Sequence, residues 1–288
     1  MEATDKNFKK TLIETFRAFD KFCKEHDIKY FIAYGSLIGA VRHQGLIPWD
    51  DDIDVWMLPD DYKKFCSYRG RINDHYDIVD EREENYWLLT LAKFVDTDTT
   101  LWEMEVFRCV TGIYIDVFPL YVCDTDISCE LKCRYEKTAA DLKRSEKKYS
   151  LQKITSTICT LRPRSILHML TDLFRYVPMR KYFRRRYENC FNEIRPGTSN
   201  SYVSFEGDWK EKEVFPMEWF ADTVIVNFED MEIEAPAAYH EILTQIYGDY
   251  MQLPPEEKRK SHHPHYFVDL TRRWTIDEIK KYKRIHKG

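Results

Sequence analysis

Four carboxylates, Asp50, Asp51, Asp52 and Asp54, fall within five residues, and apolar residues follow at once in Val55-Trp56-Met57. Two unit charges about 4 Å apart repel by roughly 4 kcal/mol at an effective dielectric of 20. A fold that brings this run against a core needs a counter-charge, and a divalent cation carrying a phosphate ligand supplies one. Asp52 and Asp54 alternate with Ile53 and Val55. A strand over Asp52–Met57 puts the two carboxylates on one face and the aliphatic chains on the other. A second strand, over 112–118, sets Tyr114, Asp116 and Phe118 opposite Ile113, Ile115 and Val117. Asp116 is then the best candidate for a third metal ligand. Metals so held bridge the phosphates of a nucleotide while a phosphoryl group moves.

Upstream, Gly35-Ser36 makes a turn and Ser36–His43 a short helix, an arrangement that presents backbone N–H groups and a hydroxyl to a phosphate. A calcium loop does not fit. Asp50, Asp52 and Asp54 match its first three ligand positions, but Val55 stands where Gly belongs and Asp61 where Glu belongs. A solvated acidic turn is the plain alternative. It leaves the Gly-Ser turn, the interleaved aliphatics and the distant Asp116 unexplained.

The chain has 288 residues, enough for one large domain or two small ones. No apolar stretch reaches the roughly 18 residues of a membrane span, and Met1–Lys10 is too polar for a signal peptide. The eight Cys form no Cys-x-x-Cys pair and no zinc-ribbon spacing. Reduced thiols in a cytoplasmic protein are expected. The net charge of −5 is uneven. Residues 130–190 carry 16 Lys or Arg against 6 Asp or Glu, +10, which leaves −15 on the remainder. That asymmetry points to an anionic partner at the middle segment. No basic motif of a nucleic-acid-binding kind occurs.

The pattern reads as α+β. An α/β part covers 1–125, a basic helical region 126–195, and a smaller mixed part 196–288 completes the site. Phe8, Leu12, Phe16, Phe19 and Phe22-Cys23 predict an amphipathic helix over 5–26. Strands are expected over Tyr30–Ala33, 76–80, 87–95 and within 201–234. A helix opens at Pro59 and runs to Arg69. Arg162-Pro163 and Val177-Pro178 divide the basic region into several helices. Further helices cover Ala237–Tyr247, ended by Gly248, and Thr275–His286.

The segment Gly35–His43, Gly45 and Ile47–Asp54 resembles the signature of the LicD family of phosphotransferases, which also covers the fukutin-related enzymes. Further matches lie at Gly112–Leu120, at Tyr247–Tyr250 with Leu253-Pro254-Pro255, and at His262-His263, so the resemblance spans about residues 28 to 265. It implies a nucleotidyltransferase-like mixed sheet in which Asp52, Asp54 and Asp116 hold Mg²⁺, with Mn²⁺ as a substitute. It implies transfer of a phospho-alcohol from a cytidine diphosphate donor to a sugar hydroxyl. In bacterial members the donor is typically CDP-choline and the acceptor a teichoic acid or lipopolysaccharide sugar. Fukutin-related members transfer ribitol phosphate. Their cysteine-rich zinc insertion has no counterpart here, which favours the choline-type reading. The competing readings are another phospho-alcohol and a catalytically inactive nucleotide-binding relative.

Around this core, Arg42 and His43 fit the motif, and Arg42 is a candidate to clamp a phosphate. The alternative for Arg42 is a structural salt bridge to the acidic run. Asp50 is placed to hold a metal-bound water, to orient Arg42 or to act as general base, while Asp51 points elsewhere. Lys93, a cation in an apolar strand, needs either a donor phosphate or a neighbouring carboxylate. His262, His263 and His265 sit in one loop, and the motif favours the first two. Trp49, Trp56, Trp87 and Trp102 offer an aromatic cage for a quaternary ammonium or, more plainly, core packing. The basic segment 160–190 suits a peripheral contact with the inner face of a membrane and a lipid-linked glycan acceptor, or a solvated helix face.

Overall fold

A computed structural model describes residues 2–70, 72–80, 91–105, 109–145, 151–159, 162–192, 200–261 and 263–286. The chain forms two units, residues 1–121 with 215–288, and residues 122–214. Composition suggests boundaries at 125/126 and 195/196, whereas the units meet at 121/122 and 214/215. Helices and sheets of mixed direction make the chain α+β.

In the first unit, helix α1 (Glu2–Glu25) carries the expected apolar stripe. Phe8, Leu12, Phe16, Phe19, Phe22 and Cys23 are all buried. Strand β1 (Phe31–Ile32) leads into α2 (Tyr34–Ile38), whose path continues as a π-helical turn over Gly39–His43. Strand β2 (Asp54–Met57) begins two residues later than the alternation suggests, so Asp52 lies on the extended approach and not in the strand. Helix α3 (Pro59–Cys66) follows, with Pro at its first turn. Strands β3 (Tyr76–Val79), β4 (Ala92–Asp96), β5 (Thr100–Trp102) and β6 (Tyr114–Pro119) complete this part. The strand expected from residue 87 begins, within the described residues, at Ala92. Its earlier part, with Trp87, lies outside them.

Five strands form one mixed sheet in the order β1-β2-β6-β4-β3. Only β2 and β6 pair in parallel. They are the middle of the sheet and carry Val55, Trp56, Met57, Ile115 and Val117, each fully or nearly fully buried. Helix α1 packs its aromatic stripe against this sheet. Phe19 meets Phe94 edge-on at 5.6 Å and Phe65 at 5.9 Å. Each such pair contributes about 0.5–1.5 kcal/mol beyond its area burial.

The chain leaves the first unit through β7 (Tyr121–Cys123). In the second unit α4 (Thr125–Ser145), α5 (Leu151–Cys159) and α6 (Pro163–Thr171) follow. Pro163 opens α6, as expected. Val177-Pro178 does not end the helical path. Instead, the path passes from α6 through a π-helical turn (Asp172–Tyr176) and a 3₁₀ turn (Val177–Met179) into α7 (Arg180–Asn192). A change of helical pitch accommodates the missing proline donor. Buried Lys132 of α4 holds Glu213 at 2.5 Å and the Ser204 carbonyl at 2.7 Å, and Arg144 holds buried Asp172 at 2.8 Å. Strand β8 (Ser201–Val203) also belongs here. No helix among the described residues is long and apolar enough to cross a membrane.

The chain re-enters the first unit through β9 (Val214–Pro216). Strands β10 (Thr223–Phe228) and β11 (Met231–Pro236) form a hairpin whose two-residue turn holds Glu229 at φ 56°. Helix α8 (Tyr239–Tyr247) ends at Gly248, whose φ of 75° suits a residue without Cβ. Strand β12 (Phe267–Asp269) pairs with β5, and α9 (Ile276–Ile285) starts at a Thr275–Glu278 capping box.

Gly112 enters β6 against the backbone of residue 96. A Cβ there falls 1.7 Å from the Asp96 carbonyl oxygen. Gly112→Ala is expected to cost about 3 kcal/mol of stability, read as a lower urea midpoint of tryptophan fluorescence. Gly70→Ala, at φ 72° with open space around it, is expected to cost no more than about 1 kcal/mol in the same assay.

Candidate active site

Sheet register assembles the centre. Asp54 of β2 pairs with Asp116 of β6, and Asp116 pairs with Lys93 of β4. Residues directly opposite share a face, so one row across three strands carries two carboxylates and one ammonium. The Lys93 Nζ lies 2.5 Å from Asp116 Oδ1 and 3.3 Å from the centre of the Tyr114 ring. The Tyr114 hydroxyl donates to Glu103. Of the two partners considered for Lys93, the carboxylate is the one it has.

The chain on either side of Asp54 is locked. The Ala33 N–H donates to the Asp54 carbonyl at 2.9 Å, and the Asp116 N–H donates to the Ile53 carbonyl at 3.0 Å. Ser36 is buried, and its hydroxyl accepts the Asp54 N–H at 3.0 Å. In this structure the Ser36 side chain points inward and holds β2. The helix that Gly35-Ser36 opens is also only five residues long. Gly35 does border the site, since a Cβ there sits 3.0 Å from Asp50 Oδ2.

Arg42 lines the site and is held by backbone carbonyls. Its Nη1 donates to the Tyr250 carbonyl at 2.5 Å and the Gln252 carbonyl at 3.3 Å, and its Nε donates to His43 Nε2 at 3.0 Å. It fastens the 250–252 segment and makes no salt bridge to the acidic run. His43 stands edge-on to Trp49 at 5.9 Å. Burial and the Arg42 charge lower its affinity for a proton, in keeping with its role as acceptor.

Asp51 is the largest departure from expectation. It does not point away but gathers the 261–265 loop. Ser261 Oγ donates to Asp51 Oδ2 at 2.5 Å, His263 Nδ1 lies 3.0 Å from Oδ1, and His265 Nε2 lies 3.3 Å from Oδ2. The other ring nitrogen of His263 is 3.6 Å from Asp52 Oδ2. His265 stacks on Phe8 at 4.8 Å, which ties the loop to α1. His262 lies outside the described residues. The His-rich composition of 262–265 was the available signal for Ser261 and His265.

The electrostatics follow from burial and crowding. Burial, then the charge of a neighbouring Asp, raises Asp52 and Asp54 well above the ordinary carboxylate value. Asp50 is raised mainly by burial and shares a hydrogen bond with Asp52. Asp116 is raised by burial although Lys93 pulls the other way. Burial also opposes ionisation of Asp51, but hydrogen bonds from His263 and Ser261 outweigh it and leave its pKa lowered. The hydrogen bond to Asp51 drives His263 up to about 9. A set of hard oxygen donors with surplus negative charge suits a divalent cation such as Mg²⁺. Asp52, Asp54 and Asp116 supply such donors, while among the described residues the set whose ligand atoms lie within 4.8 Å of one another is Asp51, Asp52 and His263.

Two clefts flank this centre and share Trp49 as a wall. One, of 690 Å³, is lined by Phe8, Asp50, Asp51, His265 and Tyr266. The other, of 620 Å³, is lined by Gly35, Ile38, Arg42, Tyr250 and Arg259. Arg259 stands 5.7 Å from the Trp49 ring centre. Trp56 and Trp102 are fully buried and belong to the core.

In metal-free protein, the raised Asp52, Asp54 and Asp116 contribute stability only at low pH and lose it as pH rises. Asp54→Asn is therefore expected to raise the melting temperature in EDTA, and by more at about pH 8 than at about pH 5. A relief of about 1 kcal/mol corresponds to about 2–4 °C in a chain of this size. The contribution of His263 is complete below its ordinary value of 6.5 and is lost as pH passes about 9. Thermal melts of His263→Gln are expected to lack that decline.

The family described as LicD/FKTN/FKRP, nucleotidyltransferase domain, matches residues 27–158. The lipopolysaccharide cholinephosphotransferase LicD of Haemophilus influenzae is 30% identical over 252 residues, which is 85% of this chain and 90% of that protein. The ribitol 5-phosphate transferase FKRP of Homo sapiens is 34% identical over 73 residues, 25% of this chain and 14% of that one. The site built on β2 and β6 lies within the matched segment, and the similarity to the Haemophilus protein runs nearly end to end. The chain belongs to the LicD family of phosphotransferases.

Proposed function

We propose that this protein transfers phosphocholine from CDP-choline to a sugar hydroxyl of a lipopolysaccharide or related cell-surface glycan. The observation that carries the choline reading is similarity over nine-tenths of a lipopolysaccharide cholinephosphotransferase. The observation that carries the chemistry is the row of Asp54, Asp116 and Lys93, with Asp52 beside it. A nucleotidyltransferase-type core is part of the same reading, supported by the family description.

Asp52, Asp54 and Asp116 would hold Mg²⁺, which would neutralise the donor diphosphate and the charge that develops as its bridging P–O bond breaks. Lys93 holds the Asp116 carboxylate in place through its 2.5 Å contact. Ser36 fixes the Asp54 backbone. The cleft lined by Arg42 and Arg259 seats the cytidine nucleotide, its two guanidinium groups facing the phosphates. Asp50 borders both sides, lining one cleft while its Oδ2 approaches Gly35 of the other. It accepts the proton of the acceptor hydroxyl, whose oxygen forms the new bond to the choline-bearing phosphorus as cytidine monophosphate leaves. Catalysis is mainly positioning and charge neutralisation.

Ribitol phosphate transfer is the second reading, carried by the 73-residue match to the ribitol 5-phosphate transferase. Release of cytidine monophosphate from CDP-choline, CDP-ribitol and CDP-glycerol, with a lipopolysaccharide acceptor and Mg²⁺, decides between them. Turnover is expected with CDP-choline, and turnover with CDP-ribitol alone would overturn the choline assignment. Asp54→Asn and Asp116→Asn are expected to lower kcat by about 10³-fold or more. Arg259→Ala is expected to weaken cytidine monophosphate binding about tenfold by calorimetry, the loss of one charge-assisted contact, while leaving cytidine binding unchanged.

A further inference from the structure

The helical path from Pro163 to Asn192 carries two unlike stripes. Met169, Asp172 and Phe183 are buried, and Asp172 is held by Arg144. Leu167, Leu170 and Phe174 recur at i, i+3 and i+7, the spacing of one helix face. They are 65%, 41% and 79% exposed, and Phe174 is the most exposed large apolar side chain among the described residues. Met179, beyond the π-helical turn, is exposed too. Apolar side chains in a row at this exposure mark an interaction surface.

Charge narrows what that surface meets. Residues 162–187 contain eight Lys or Arg, and all eight are exposed. The same stretch contains one acidic residue, Asp172, which is buried. The stretch therefore offers an apolar stripe among exposed cations, and its one described acid, Asp172, is buried. A second copy of the chain fits poorly, since a two-fold contact would set cations against cations. A nucleic acid would engage the cations but has no use for Leu167, Leu170 and Phe174.

We propose that the face from Arg162 to Arg186 docks on an anionic lipid bilayer. Leu167, Leu170 and Phe174 enter the boundary between headgroups and acyl chains, and the arginines and Lys181 lie against the phosphates. The attachment is peripheral and salt-sensitive. It draws on the second unit alone and does not depend on the reading of the active site.

Sedimentation of the full chain with vesicles tests it. Binding is expected to vesicles of equimolar phosphatidylcholine and phosphatidylglycerol, and not to phosphatidylcholine alone. The double variant Leu167→Ser, Phe174→Ser is expected to lower the partition coefficient at least about tenfold. Arg180→Glu with Lys181→Glu is expected to do the same, and added salt should weaken the wild type. All four positions are exposed, and circular dichroism checks that the variants remain folded. As a second readout, Phe174→Trp is expected to show a blue-shifted emission on adding the anionic vesicles. Absence of binding to anionic vesicles, binding unaffected by the Leu167 and Phe174 changes, or an unshifted Trp emission in sedimented protein would overturn the proposal. So would light scattering that shows a dimer dispersed by the same double variant.

Discussion

Parallel pairing of β2 with β6 sets Asp54 beside Asp116, and the remaining architecture answers the cost of that contact. Two carboxylates side by side in a dry sheet repel each other and lose hydration together. Lys93 arrives from β4 to meet one of them. The Tyr114 ring beneath Lys93, and Glu103 behind Tyr114, keep that ammonium in place. The aromatic packing of α1 on the sheet supplies the favourable burial that lets such a centre persist, at about 1.5–3 kcal/mol for each buried side chain of this size. The pairing also leaves the site under-neutralised, because two cations, Lys93 and His263, face four carboxylates, Asp51, Asp52, Asp54 and Asp116. That residual negative charge makes the centre suited to a divalent cation.

Much of this was legible in the residues. Alternation of aliphatics with Asp54 and with Asp116 placed both strands to within two residues, because a strand with one face on the core and the other on the site alternates apolar with polar groups. The stripe of Phe8, Leu12, Phe16 and Phe19 located α1 for a similar reason. Lateral order across the sheet was not legible. That Lys93 meets Asp116 is a matter of register between strands far apart in sequence, and a lone cation in an apolar strand suits a phosphate equally well. The backbone partner of Ser36 was not legible, because a hydroxyl at a helix start can face a ligand or the backbone with the same chemistry. The partners Arg42 holds are backbone carbonyls, which leave no mark in composition. Asp51 was misread because strand alternation says nothing before Asp54, where loop contacts from 210 residues away set its direction.

The second unit shows the complementary case. Its basic composition was plain, and so was Pro163 at a helix start. Val177-Pro178 looked like a break, yet the backbone absorbed it by changing pitch through a π-helical and then a 3₁₀ turn. The buried pairs Lys132–Glu213 and Arg144–Asp172 hold this unit internally. They remove two acids from its surface and leave the arginines of α7 facing outward.

The grip of Asp51 on Ser261, His263 and His265 has a consequence for biosynthesis. The acidic run is made before the residues that cap it, which follow more than 200 positions later. Between them the chain completes the whole 122–214 unit. During translation the carboxylates therefore wait without their histidines, and the nascent sheet carries its repulsion with only Lys93 to offset it. Closure of so long a loop is slow. A chain made only as far as residue 260 would present the acidic run without Ser261, His263 and His265 on Asp51.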